Sequence, residues 1–289
     1  MEYTAAPLAV IGGGTRARAI IQGGIAAGVL AAGQIGVAEP DAGKRAGLAR
    51  LGVKVFATAG ETVAWLEGAE GAERAVGAVG GAGQVLLAVK PQSLAEVARE
   101  IGGRLGGGGG RRVAISILAG TPSAKVRAVL GDVAVVRAMP NTPARIRQGV
   151  TAIAVGEGAG EEDAEFARRI FGGVGQLVVS VGEEMMDAFT AVAGSGPAYV
   201  FYLAQAMVEA AVAVGFERAT ALRVVQETVA GAGALLAEEA KEPTALLAGV
   251  MSKGGTTEAA ARVLEGHGVA GAVVEAIVAA RDRGRELAR

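Results

Sequence analysis

Two short stretches near the start of this chain carry residue types that could handle a phosphorylated ligand. The first is Gly12-Gly13-Gly14-Thr15-Arg16-Ala17, which follows the apolar run Leu8–Ile11 and precedes a helical pattern reaching Ala27. The spacing is G-x-G-x-x-A. Gly12 permits a tight turn, Gly14 lets a pyrophosphate approach the backbone, and Ala17 lets helix pack on strand while the helix N-terminus faces the phosphates. Alone the motif is weak, but its place at the end of a first strand favours dinucleotide binding over an ordinary strand-to-helix turn. The second stretch is Ala38-Glu39-Pro40, at the end of the next strand pattern. A carboxylate there accepts hydrogen bonds from an adenosine ribose 2′-hydroxyl and repels a 2′-phosphate, which favours NADH. Arg16, Lys44 and Arg45 argue for NADPH, because they would neutralise that phosphate. Solvated surface charge is the plain alternative for all four residues, so the cofactor is NADPH or NADH at this stage.

Other chemistries are excluded by what the chain lacks. It has no cysteine, hence no disulfide, thiolate metal site or thiol nucleophile, and His267 is its single histidine. His267 lies between Gly266 and Gly268 after a helical run and reads as a helix-end residue, which argues against zinc hydrolysis and histidine-based nucleophilic catalysis. No metal site is expected. Lysines and arginines number 28 against 29 acids, so no net field favours nucleic acid or an anionic membrane. The N-terminal residues lack the basic start and cleavage pattern of a secretory signal, and the apolar stretch from Ala188 to Met207 is interrupted by Gly194-Ser195-Gly196-Pro197. A cytoplasmic protein is expected, with a small molecule and further copies of itself as partners.

The elements that must position the glycine loop follow from periodicity. The first part of the chain alternates β-branched runs with alanine-rich helical patterns, the mark of repeated βαβ units and a parallel sheet. Expected strands are Leu8–Ile11, Gln34–Ala38, Val53–Ala57, Val85–Val89, Val113–Leu118, Val133–Ala138, Thr151–Val155 and Leu177–Val181. Beyond Val181 the strand signal stops, and helices are expected at 183–193, 197–214, 218–240, 243–250, 256–266 and 268–288. The fold class is therefore an α/β Rossmann-type N-terminal domain, residues 1–181, followed by an all-α domain, residues 182–289. The helices carry wide apolar faces, which predicts an oligomer interface rather than a self-contained bundle. Gly77–Gly83 and Gly106–Gly110 read as surface loops, since neither joins a strand to a helix start.

Four further segments, in order, carry a resemblance that spans essentially the whole length. They are Ala88-Val89-Lys90-Pro91-Gln92, Arg137-Ala138-Met139-Pro140-Asn141-Thr142-Pro143-Ala144, Gly194-Ser195-Gly196-Pro197-Ala198-Tyr199 and Ser252-Lys253-Gly254-Gly255-Thr256-Thr257. In content and order they resemble the pyrroline-5-carboxylate reductases, which use NAD(P)H to reduce Δ1-pyrroline-5-carboxylate to L-proline, the last step of proline biosynthesis. The resemblance implies a helical dimerisation domain, an active site shared between subunits, and dimers assembled into larger rings. It implies that Val89, Lys90 and Pro91 pass under the cofactor, that Ala119 and Gly120 lie near its nicotinamide half, and that Glu183 borders the substrate pocket. It also implies that Ser252, Gly255, Thr256 and Thr257 bind the substrate, with the Thr257 hydroxyl close to the imine nitrogen. Consecutive amides at a helix start suit a ring carboxylate, although the two threonines could instead serve as caps. Equally plain alternatives are a strand-end charge for Lys90, an N-terminal helix acid for Glu183, and close helix crossing for Ser195 and Gly196. The chain departs from the family pattern at Thr15 and Arg16 (often asparagine and a hydrophobic residue), at Lys253 (commonly proline), at Gly249 (frequently polar), and in a longer segment from about Ala64 to Gly83.

Hydride transfer asks the protein mainly for placement, with the reacting carbons roughly 3 to 3.5 Å apart and water excluded. That suits a site without cysteine or catalytic histidine. Thr257 is expected to orient the ring nitrogen, the proton arriving from solvent or on the substrate. Two rivals stand beside this reading. A β-hydroxyacid-type dehydrogenase would use a lysine of the second domain, where Lys241 and Lys253 are the candidates. A non-catalytic dinucleotide-binding sensor or assembly protein would show no turnover.

Overall fold

The computed structural model describes residues 7–69, 83–105, 112–239 and 241–288. The expected loop Gly106–Gly110, Gly77–Gly83 apart from Gly83, and most of the longer segment 64–83 lie outside the described residues. The chain divides into two compact units, Met1–Gly194 with Ala280–Arg289, and Ser195–Ala279.

Among the described residues, the first unit is built on eight strands: β1 (Leu8–Ile11), β2 (Ile35–Ala38), β3 (Lys54–Phe56), β4 (Gln84–Leu87), β5 (Val113–Ser116), β6 (Ala134–Pro140), β7 (Gly149–Val155) and β8 (Gly175–Ser180). Between them run helices α1 (Thr15–Ala26), α2 (Ala42–Ala49), α3 (Ala59–Gly68), α4 (Leu94–Ile101), α5 (Ser123–Leu130) and α6 (Glu161–Gly173). The sheet order is β3-β2-β1-β4-β5-β6-β7-β8. β1 thus has β2 on one side and β4 on the other, and the crevice at this reversal of strand order is where open sheets bind ligands. Strands β1, β2, β4, β5 and β6 are buried along their whole length, as a sheet covered on both faces requires. Side chains alternate between two cores: Leu8 and Val10 pack with Ile20, Ile21, Phe166 and Phe171 on one face, Ala9 and Ile11 with Val63, Leu66, Val97 and Ile101 on the other.

One pair in the sheet departs from the expected parallel arrangement. β6 and β7 pair antiparallel, with Ala138 opposite Ile153. Only the short connection from Asn141 to Gln148, including a 3₁₀ turn at Thr142–Ile146, joins them. A parallel partner would need a crossover of a dozen residues or more, so a reversal is the outcome available to so short a link. β8 returns parallel to β7 after the crossover helix α6. A second correction falls on the expected helix 183–193, which is instead a 3₁₀ turn (Glu183–Met185), α7 (Met186–Phe189) and a π-helical turn (Thr190–Gly194). Asn141 explains part of this: its side-chain amide donates to the Ala193 carbonyl at 3.1 Å, while its Oδ1 accepts from Val150 N–H at 2.9 Å.

The second unit is helical: α8 (Gly196–Ala213), α9 (Arg218–Glu239), α10 (Pro243–Gly249), α11 (Thr256–Gly266) and most of α12 (Val269–Ala288). Its buried apolar residues among those described are Val208, Ala221 and Val225, where α8 meets α9. No single described helix is long and apolar enough to cross a membrane. His267 is the C-cap of α11, its amide donating to the Val263 carbonyl at 3.0 Å.

Candidate active site

The glycine loop is shaped by what its residues touch. Gly12 has φ +102°, and a Cβ there would stand 2.9 Å from the carbonyl of Ala88 and 3.0 Å from Val89, at the exit of β4. Any side chain would therefore strike backbone as well as strain the turn. Gly14, by contrast, has nothing within 4 Å of a Cβ, leaving an open approach to the start of α1. It is the N-cap of α1 with no side chain capping it, so the first amides of the helix are available to an anion. A cleft of about 540 Å³ opens there, lined by Gly13, Gly14, Thr15, Arg18, Lys44 and Arg145 among others. Ala17 is fully buried, packing helix on strand. Room at Gly14, free amides and basic walls together fit a dinucleotide pyrophosphate.

Glu39 is 6% exposed, and its carboxylate is tied into the loop: Oε2 accepts from Gly13 N–H and Oε1 from Asp41 N–H, each at 3.1 Å. Both oxygens keep lone pairs that a ribose hydroxyl could use. Lys44 Nζ lies 3.9 Å from the same carboxylate, and the Arg45 guanidinium donates to the Glu39 and Pro40 carbonyls at 2.7 Å each. Arg16 is elsewhere, donating to the Ile117 carbonyl just beyond β5 at 3.4 Å. β5 is three strand spacings from β2, roughly 14 Å. Of the three cations the sequence offered to a 2′-phosphate, only Lys44 and Arg45 stand at the Glu39 corner. Val89 is half-buried beside Gly12, while Lys90 and Pro91 are exposed at the start of a 3₁₀ turn (Pro91–Ser93).

Glu183 belongs to a second cluster. Its Oε1 accepts from the Ser123 backbone N–H at 2.6 Å and its Oε2 from the Ser123 hydroxyl at 2.5 Å, at the start of α5. Arg137, in the middle of β6, reaches Oε1 at 3.3 Å. The loop Ala119–Pro122 leads directly into this helix. Gly120 has φ +60°, and a Cβ on it would stand 3.0 Å from Leu287 near the end of α12.

In the helical unit, Gly254 has φ +75° and Gly255 is the N-cap of α11, with no side chain capping that helix. Thr256 and Thr257 are the first helical residues rather than caps. Glu258 turns back to accept from Gly254 N–H and pairs with Arg262 at 2.7 Å, and Gly255 N–H donates to the Ser252 carbonyl at 2.9 Å. A Cβ on Gly255 would displace the Ser252 hydroxyl, and Gly254 at φ +75° takes a backbone conformation that favours glycine, so the segment 252–257 is a tight turn.

Residues 183–287 match a family described as pyrroline-5-carboxylate reductase dimerisation. A pyrroline-5-carboxylate reductase of Synechocystis sp. is 38% identical over 283 residues, 98% of each chain. The chain belongs to the pyrroline-5-carboxylate reductase family. Within that family, the Pseudomonas aeruginosa reductase is 36% identical over 97% of this chain and 96% of its own. A solved reductase from Coxiella burnetii superposes with a TM-score of 0.84 at 31% identity, covering 99% of this chain and 100% of that one. A Plasmodium falciparum pyrroline carboxylate reductase solved with NADP bound shares the fold, with a TM-score of 0.80 at 21% identity over 98% of each chain.

For this family member, sequence reasoning had quoted Arg137 and Asn141 without a role and had passed over Ser123. A usable signal existed for Arg137, the one charge inside the apolar run Ala134–Pro140, since a charge in a central strand demands a partner. Ser123 offered no such signal, because its bond to Glu183 spans 60 residues.

Proposed function

We propose that this chain reduces Δ1-pyrroline-5-carboxylate to L-proline with NADH or NADPH. The observation that carries this reading is full-length relatedness, 38% identity over 98% of both chains, to a reductase of that name. The glycine loop supports it with a turn that fits a dinucleotide. The cofactor supplies the hydride.

The chain's own residues hold and orient. Gly12, Gly14, Thr15, Arg16 and Ala17 form the pyrophosphate turn, and Glu39 faces the adenosine ribose. Val89, Lys90 and Pro91 lie under the cofactor, and Ala119 and Gly120 serve its nicotinamide half. Glu183, Ser252, Gly255, Thr256 and Thr257 bind the substrate. Thr256 and Thr257 contribute amides for the ring carboxylate, a role supported by the uncapped start of α11, while the Gly255 amide closes the turn onto the Ser252 carbonyl. Thr257 directs its hydroxyl to the imine nitrogen and so orients the ring; the proton comes from solvent or with the substrate. The working division places the cofactor domain at residues 1–181 and the substrate and dimerisation domain at 182–289, supported by the last strand ending at Ser180 and the family match beginning at 183. Dimers built through the helical domain assemble into a larger ring, and the enzyme acts in the cytoplasm.

The test is oxidation of NADH and of NADPH by purified protein with and without pyrroline-5-carboxylate, in parallel for Thr257→Ala. Turnover should require the imine, and the variant should lose roughly 100-fold in kcat, the scale expected when a bound group is misplaced by about an ångström, while binding cofactor as before. Cofactor oxidation without the imine, or an unchanged rate in the variant, would contradict the assignment.

A further inference from the structure

We propose that Arg137 and Ser123 are positioning residues for the hydride transfer: they fix the Glu183 carboxylate, and through it the loop Ala119–Pro122 that serves the nicotinamide half of the cofactor. This rests on the reading above in one respect, the assignment of Ala119 and Gly120 to the nicotinamide.

Arg137 is 4% exposed and sits between Val136 and Ala138, both fully buried. A guanidinium in such surroundings carries a large desolvation cost that a single ion pair does not offset well. Among the described residues its ion pair is with Glu183, at 3.3 Å, and its Nε is buried without a hydrogen-bond partner. A charge placed purely for stability would satisfy all its donors; one left half-satisfied calls for another reason to be there. The reason lies in what Glu183 grips. Its two oxygens take the N–H and the O–H of Ser123, at 2.6 and 2.5 Å, so the first residue of α5 is held by both backbone and side chain. The same hydroxyl accepts from Glu157 N–H at 3.1 Å, and a Cβ on Gly156 would come within 2.5 Å of Ser123 Cβ, which leaves Ser123 no slack on its other side.

The loop is therefore fixed at its exit, where Ser123 is held by the carboxylate, and it has no room for a side chain at Gly120, where a Cβ would stand 3.0 Å from Leu287. Between them the Thr121 hydroxyl donates back to the Ala119 carbonyl at 3.2 Å. A loop pinned at its exit and bonded back on itself through Thr121 presents one backbone conformation to a planar ring, which is what alignment for hydride transfer requires.

The experiment compares ligands with and without nicotinamide on the full-length protein. Wild type, Ser123→Ala, Glu183→Gln and Arg137→Lys are titrated calorimetrically with NADH and NADPH, and separately with ADP-ribose and 2′-phospho-ADP-ribose. Each variant should weaken the nicotinamide-bearing ligand about tenfold, the equivalent of one charge-assisted hydrogen bond, while the truncated ligand binds within about twofold of wild type. Equal weakening of both ligands, or no change in either, would overturn the proposal and leave the cluster a structural ion pair. Should Arg137→Lys fail to fold, the Ser123 and Glu183 variants still decide. A wild type that shows the ligand split yet leaves pyrroline-5-carboxylate unreduced would refute the substrate and not the positioning.

Discussion

Helix α6 in the sheet unit and helix α8 in the helical unit spend their apolar residues in opposite ways. α6 has 13 residues and buries Ala164, Phe166, Ala167, Ile170 and Phe171, together with Asp163 where it accepts from the Gly160 N–H, while Glu161 and Glu162 are exposed. α8 has 18 residues, apolar on nearly every side, and buries only Val208; Phe201 and Tyr202 stand 67% and 78% exposed. α10, α11 and α12 bury no residue at all. A helix that is apolar all round belongs inside something. The first unit finds its interior within one chain, whereas the second carries half of an interior and the family match names where the other half comes from, a dimerisation domain. Stability in the first unit should thus be a property of the chain, and in the second a property of its concentration.

Leu203→Asp attacks that contrast hardest. Placing a charge on the exposed apolar side of α8 should weaken self-association at least about 30-fold, as loss of a central interface anchor does. Light scattering should show monomer, and the far-ultraviolet helix signal should melt at lower temperature. Trp65, the single tryptophan, stacks on Gly36 in the sheet unit and should keep its native emission. A dimer of unchanged stability would mean α8 is not the shared surface.

Phe171→Ala makes the reciprocal cut. Removing a fully buried ring from the sheet unit should cost about 3–5 kcal/mol, read as a fall in the Trp65 transition that does not move with protein concentration. A concentration-dependent shift would erase the distinction between the units.

Lys241→Ala should do almost nothing. Its side chain is exposed and salt-bridged to Glu239, so a change within about 0.5 kcal/mol is expected, with kcat for the imine unaltered. A collapse of turnover would instead favour a lysine-dependent dehydrogenase.

Much of the sheet unit could be read in advance because its information is local. β-branched runs alternate with helical ones, Gly12 and Ala17 fall where a turn and a packing contact admit only small residues, and Gly14 leaves the start of α1 open. What escaped was decided over long range. The reversal of β7 depended on the length of the Asn141–Gln148 link rather than on any residue in the strand. The broken stretch 183–194 looks helical by composition, yet Asn141 reaches across 52 residues to bond its last turn. The charges around Glu39 could be named but not sorted, since only the fold separates Arg16 at β5 from Lys44 and Arg45 at β2. Glu183 was singled out, but its partners Ser123 and Arg137 lie 60 and 46 residues away.

The end of α12 rejoins the sheet unit, with Leu287 against Gly120 and Gly284 against Asp187. During synthesis the loop at Gly120 leaves the ribosome long before the segment that buttresses it. The loop is therefore made before the segment packed against it, which follows helices α8 to α11 in the chain. Removing residues 280–288 would leave the glycine turn in place and take away the segment that lies against Gly120.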